Sequence, residues 1–175
     1  MKQVTIYCSS SNKIDPKYNV AARELVRALH ALGYGIVSGG GARGTMGAIT
    51  DESVRVGGQH IAVLPRFMDG LENTEITRVI WTDTMSTRKE FMRADTCAAI
   101  ALPGGIGTMD ELIETLVLVK LGRYQGKIIA LNLDGYYEPL KALLDHYVKH
   151  QMMSPEDREL MKFPTTVDEL IEILK

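Results

Sequence analysis

AAIALPGGIGTMDELIETL, residues 98–116, joins an apolar strand pattern to an apolar helix pattern through a glycine turn. It begins with a continuously apolar run, as expected of a strand covered on both faces, then places three glycines in four positions. An acidic pair follows and opens a strongly apolar helical segment. The same succession surrounds it. Apolar runs VTIYC (4–8), YGIVS (34–38), HIAVL (60–64), RVIWT (78–82) and KIIALNL (127–133) alternate with helical patterns. The first pattern carries Ala21, Leu25, Ala28, Leu29 and Leu32 and ends at Gly33. Strand, helix, strand throughout predicts an α/β fold with right-handed crossovers and a parallel sheet. The tail VDELIEILK reads as a closing helix.

The 175 residues suit one domain spanning 1–175. Apolar content of 45% and a net charge of −2 leave no basic excess to hold phosphates electrostatically, so no nucleic-acid partner is expected. The apolar run in MKQVTIYCSSS is too short for a signal peptide and nothing approaches a bilayer span, so the expectation is a cytoplasmic protein without a membrane partner. Cys8 and Cys97 stand far apart with no C-x-x-C and suggest neither a disulfide framework nor a zinc site. No metal site is expected: His146 and His150 lie one helical turn apart without a third ligand, and His30 and His60 are isolated.

A second glycine turn, SGGGARGTMGAIT (38–50), shares G-T-M with the first, just where each helix should start. Glycines let backbone amides approach a ligand, and a helix amino terminus offers unpaired N–H groups with about half a positive charge. Two such termini point to an anion, most simply a phosphate; tight strand-to-helix packing is the alternative use of the same glycines. Gly39 to Gly44 matches G-x-G-x-x-G, but it follows the second strand, and the next strand ends at Leu64 and Pro65 without a ribose-binding acid, which demotes a dinucleotide. Neither loop continues as G-K-[ST], so a smaller phosphate ester such as a nucleoside monophosphate remains. Ser9, Ser10 and Ser11 end the first strand as hydroxyl donors at the same edge. The connection PRFMDGLENTEIT, 65–77, has no helical period and leaves that edge too.

Glu111 follows Thr108 by three, a T-x-x-E capping box in which the carboxylate serves only its own helix; the alternative places it at the edge of a ligand held by the loop. Arg88 and Lys89 lie near the first turn of the helix after RVIWT, where cations oppose the helix dipole unless they bind something. That helix start and the 104–111 loop leave consecutive strands at one edge, which lets Arg88, Lys89 and Glu111 converge. Leu112, Ile113, Leu116, Val117, Leu118, Val119 and Leu121 make segment 109–121 apolar around most of its circumference, which predicts deep burial or a shared interface, and hence a homodimer.

PGGIGTMDE, 103–111, resembles the Lonely Guy (LOG) family hallmark P-G-G-x-G-T-x-x-E at every fixed position. Further landmarks run in family order: C-x-S-S (Cys8–Ser11), G-G-G-x-x-G-x-M-G (Gly39–Gly47), a methionine-to-R-K element (Met85–Lys89) and N-x-D-G-Y-Y (Asn132–Tyr137). The resemblance implies a three-layer Rossmann-like open parallel sheet with helices on both faces. It also implies a dimer and hydrolysis of the N-glycosidic bond of adenosine-type nucleoside 5′-monophosphates, cytokinin riboside monophosphates or AMP, to free base and ribose 5-phosphate, with no cofactor. It makes Arg88 and Glu111 the catalytic pair, with Lys89 assisting. Gly104, Gly105, Ile106, Gly107 and Thr108 become substrate contacts, joined by Gly40, Gly41, Gly44, Thr45, Ser10, Met85 and Glu72. Departures are MSTRK for M-H-E-R-K, Ile106 in place of an aromatic, Asp110 in place of a glutamate and Ser9 in place of a glycine. Some members have been labelled lysine decarboxylases, but no segment reads as a pyridoxal phosphate lysine site. The alternative reading is a non-catalytic nucleotide or molybdenum-cofactor carrier of the same superfamily.

Overall fold

The computed structural model describes residues 2–76 and 78–175; Met1 and Thr77, the last residue of the predicted 65–77 connection, lie outside the described residues. Among the described residues seven parallel strands form one sheet: β1 (Gln3–Tyr7), β2 (Gly35–Ser38), β3 (His60–Pro65), β4 (Arg78–Thr82), β5 (Thr96–Ala101), β6 (Lys127–Ala130) and β7 (Met161–Lys162). Their order in the sheet is β4-β3-β2-β1-β5-β6-β7. The helices are α1 (Pro16–Ala31), α2 (Gly44–Arg55), α3 (Met85–Arg93), α4 (Ile106–Lys120), α5 (Glu138–Lys149), α6 (Pro155–Arg158) and α7 (Val167–Leu174).

Alternation along the strands divides the core in two. Val4, Ile6, Ile36, Ala98, Ile100 and Ile129 face one side, against α1, Ile49 of α2 and α7. Tyr7, Val37, Ile61, Val63, Ala99 and Ile128 face the other, against Met92 of α3, Leu112 and Leu116 of α4 and Leu140 and Leu144 of α5. This is the three-layer α/β arrangement that the continuous apolar runs predict. β7, two residues long, carries too little pattern to be read from sequence.

Strand order corrects one step of the sequence reading. β4 and β5 are consecutive in the chain but have three strands between them in the sheet, β4 being an edge. α3 covers that gap by crossing the sheet, and it touches β4, β3, β2, β1 and β5 on the way. The chain order reverses between β1 and β5, so the loops leaving their carboxyl ends run to opposite faces, β1 to α1 and β5 to α4. Ligands of open α/β sheets bind in the crevice opened at such a point.

On the α1–α2 face Glu52 is almost fully buried and accepts from Arg27 at 2.9 Å and from Arg55 Nε at 3.0 Å, with Arg23 Nη1 3.6 Å away. The Arg55 hydrogen bond leads in holding its carboxyl down at about 2, against an ordinary value of 4.5. A depressed carboxylate contributes stability above its unfolded pKa, lost as pH falls through the folded one. Acid unfolding of the wild type should therefore include a component between pH 4.5 and about 2. Glu52→Gln should lose that component and cost about 1–2 kcal/mol at pH 7 in urea melts, the arginines being solvent-screened; an unchanged acid limb would remove Glu52 from this role.

Candidate active site

At the β1/β5 crevice α4 begins at Ile106, with Gly105 as its cap residue. Thr108 therefore sits inside the first turn and caps nothing, and the T-x-x-E capping box is absent. Glu111 reaches across to α3 instead. Arg88 Nη1 donates to its Oε1 at 2.7 Å while Arg88 Nε donates to the Val63 carbonyl of β3 at 3.0 Å. Both side chains are buried, 7% and 6% exposed, so this is a desolvated ion pair. Burial pushes the Glu111 carboxyl above its usual range, and the Arg88 charge opposes that rise. α3 is capped by Thr84 and Thr87, whose side chains bond each other's backbone N–H, which leaves Arg88 free to turn toward α4.

Lys89 comes to the same helix pair but not to Glu111: its ammonium bonds Asp110 at 3.0 Å and also Glu114, which Arg93 holds at 2.6 Å. Burial lowers the Lys89 pKa, but the bonds to Glu114 and Asp110 outweigh it and raise it above the ordinary value. A cation so held is in the wrong protonation state for a Schiff-base nucleophile.

The two glycine loops differ, contrary to the expectation that both offer an open helix terminus. Around the first, Gly40 N–H donates to Ser38 Oγ (3.1 Å), Ala42 N–H to the Leu71 carbonyl (3.2 Å), Gly44 N–H to Asn12 Oδ1 (2.8 Å) and Met46 N–H to the Ser9 carbonyl (3.2 Å). Two of these, Gly44 and Met46, are amides of the first turn of α2, so that helix terminus is partly engaged. At α4, among the described residues, the N–H groups of Gly105, Ile106, Gly107 and Thr108 have no protein acceptor, and no side chain caps the helix. Thr108 Oγ1 is likewise buried without a partner, against Gly104.

The remaining predicted contacts are distributed around this edge. Glu72 pairs with Gly41 in an antiparallel bridge, accepts from Gly70 N–H at 2.7 Å and so fastens the 65–77 connection to the first loop, helped by Asn73 N–H on the Gly40 carbonyl (2.8 Å). Gly44, at φ +59, backs so closely onto Ser10 and Ser11 that a Cβ would meet their backbone. Thr45 is buried in the first turn of α2, its hydroxyl also unpartnered. Ser10 is exposed, and Met85 and Ile106 project at the edge. Gly39 is required by close approach: a Cβ there would collide with the Arg88 guanidinium.

Sequence reasoning missed His60. Buried at the start of β3, it pairs through Nε2 with Ser38 Oγ at 2.7 Å, and Ser38 in turn holds the Gly40 amide. Burial lowers its pKa to about 4, so it is a neutral hydrogen-bonding group. A lone histidine on the neighbouring strand, outside any motif, carries no sign of this.

Residues 46–174 match the family model described as "Possible lysine decarboxylase". The rice protein named probable cytokinin riboside 5′-monophosphate phosphoribohydrolase LOGL2 is 35% identical over 99% of this chain and 72% of its own. The chain belongs to the LOG family. Arabidopsis thaliana cytokinin riboside 5′-monophosphate phosphoribohydrolase LOG3 is 33% identical over 99% of this chain and 82% of its own. Among solved structures, the molybdenum cofactor binding protein of Rippkaea orientalis superposes with a TM-score of 0.75 at 18% identity, over 99% and 96% of the two chains. The molybdenum cofactor carrier protein of Chlamydomonas reinhardtii gives 0.74 at 18%, over 99% and 96%. These two share the fold.

Removing one member of a buried ion pair strands the other, a cost of about 3–5 kcal/mol. Arg88→Leu should show that loss in urea melts at pH 7, less as the pH is lowered and Glu111 takes up a proton, and Arg88→Leu/Glu111→Leu should regain at least half of it. Equal losses in the single and double variants would mean the pair is not coupled.

Proposed function

We propose that this protein hydrolyses the N-glycosidic bond of adenosine-type nucleoside 5′-monophosphates, releasing the free base and ribose 5-phosphate. The observation that carries the reading is the buried Arg88–Glu111 pair beside a helix terminus whose amides are open. Residues 1–175 act as one nucleotide-binding domain. The 5′-phosphate binds the amides of Gly105, Ile106, Gly107 and Thr108, with the Thr108 hydroxyl as a further donor and Gly104 giving the approach. Binding energy at the phosphate then fixes the sugar, so that C1′ faces Glu111.

Departure of the base leaves positive charge on the ribose, an oxocarbenium-like state that a carboxylate stabilises. Glu111 also takes a proton from the attacking water as its oxygen bonds to C1′ and the C1′–N9 bond breaks; the base leaves with the bonding pair and takes a proton from solvent, to which Glu111 afterwards returns its own. Arg88 orients Glu111 and, once substrate enters, balances charge on the leaving side. Lys89 keeps α3 and α4 in register through Asp110 and Glu114. Ser10, Gly40, Gly41, Gly44, Thr45, Met85, Ile106 and Glu72 form the walls that set the choice between AMP and N6-substituted AMP. The names of the LOG relatives favour the N6-substituted cytokinin nucleotides.

The working form is a homodimer in the cytoplasm. Phe91 of α3 and Val117 of α4 are each 48% exposed, and Leu121 just beyond α4 is 61% exposed, apolar surface that a second copy would cover. No helix among the described residues is long and apolar enough to cross a membrane.

Incubation with AMP and isopentenyladenosine monophosphate, with chromatography of base and sugar phosphate, should give equimolar products. Glu111→Gln should lower the rate about a hundredfold or more. Because Glu111 must be ionised and burial raises its pKa, the rate should fall in acid at a pH above the ordinary glutamate value of 4.5. Binding of AMP without base release would reject the hydrolase in favour of a carrier, and a fully active Glu111→Gln would reject the assigned base.

A further inference from the structure

The segment Asn132–Tyr137 takes no part in the chemistry above, yet both of its tyrosines reach the phosphate loop. The Tyr136 hydroxyl donates to the Gly104 carbonyl at 2.7 Å, and the Tyr137 hydroxyl donates to the Leu102 carbonyl at 2.7 Å. Asn132 fixes the turn that presents them, its Oδ1 accepting from Tyr137 N–H at 2.7 Å and its Nδ2 donating to Glu138 at 2.6 Å. The Tyr136 ring is braced edge-on by Tyr18 and Tyr137, at centroid distances of 5.7 and 5.2 Å.

Peptide geometry gives the Gly104 contact a consequence. In a planar trans peptide the C=O and N–H point in opposite directions, and the chain has no cis bond among its described residues. Fixing the Gly104 oxygen on Tyr136 therefore fixes the Gly105 N–H on the far side. Gly104 also stands four residues before Thr108, so its carbonyl is the acceptor Thr108 N–H would take if α4 began a turn position earlier. Drawn to Tyr136, that carbonyl leaves Thr108 N–H open. The Leu102 carbonyl belongs to the peptide with Pro103, which has no N–H, so Tyr137 anchors the loop but aims no amide.

We propose that Tyr136 is a positioning residue for anion binding: its hydroxyl holds the Gly104 carbonyl off the helix axis and thereby aims the Gly105 and Thr108 amides at the substrate phosphate. The inference rests on the phosphate reading of the α4 terminus. Tyr136 is 40% exposed, so removing its hydroxyl leaves the core intact.

Calorimetric binding of ribose 5-phosphate and of adenine, with Tm for each protein, tests it on the full chain, Tyr136→Phe and Tyr137→Phe. Tyr136→Phe should weaken ribose 5-phosphate roughly five- to tenfold and leave adenine binding unchanged. Its Tm should stay within about 2 °C of wild type, and it should raise KM for AMP more than it lowers kcat. Tyr137→Phe should lower Tm further while weakening ribose 5-phosphate less. Wild-type affinity in Tyr136→Phe overturns the inference alone. So does an equal weakening of both ligands that tracks the fall in Tm, since that marks a purely structural contact. Failure of the wild type to bind ribose 5-phosphate overturns the phosphate reading and the inference with it.

Discussion

An arginine and a glutamate taken out of water together constrain everything around them. Each charge costs several kcal/mol to desolvate, and the pair is tolerable only when the geometry is good and the remaining donors are satisfied. Arg88 meets this by bonding Glu111 and the Val63 carbonyl at once, which ties α3 to both β3 and α4. Gly39 has to be a glycine because the guanidinium lies against it, and α3 has to cross the sheet because its strand is at the edge while its partner helix follows β5. The ion pair, the crossover and the first glycine loop are one structural commitment.

That commitment leaves a division of labour between the loops. The first has four of its amides bonded, by Ser38, Leu71, Asn12 and Ser9, two of them in the first turn of α2, and behaves as a wall that seats Arg88 and receives the 65–77 connection. The second keeps its amides unbonded at a helix end, where the partial positive charge of α4 is greatest. A glycine-rich turn before a helix is therefore not in itself an anion site; what distinguishes one is where its N–H groups go.

Most of the strands could be read from sequence because burial on both faces leaves continuous apolar runs, and the reading fails only for β7, whose two residues have no period. The pairing of Arg88 with Glu111 could be anticipated, but on mistaken grounds: strand order is set by packing, and nothing in residues 78–96 says that α3 crosses the three strands between β4 and β5. T-x-x-E looked like a cap because spacing alone cannot fix where a helix starts; with Gly105 as the cap residue, Glu111 falls a full turn inside and is free to bond elsewhere. His60 and Tyr136 act through hydroxyl and carbonyl partners 22 and 32 residues away, contacts that leave no local pattern.

The proposed chemistry needs a nucleotide's phosphate on the α4 terminus and Glu111 at its sugar. A crystal structure of Glu111→Gln with AMP bound tests it most directly. Phosphate oxygens should lie on the amides of residues 105–108, with the residue-111 side chain facing C1′. Phosphate seated on the first glycine loop, or a residue-111 side chain turned away from the ribose, would contradict it.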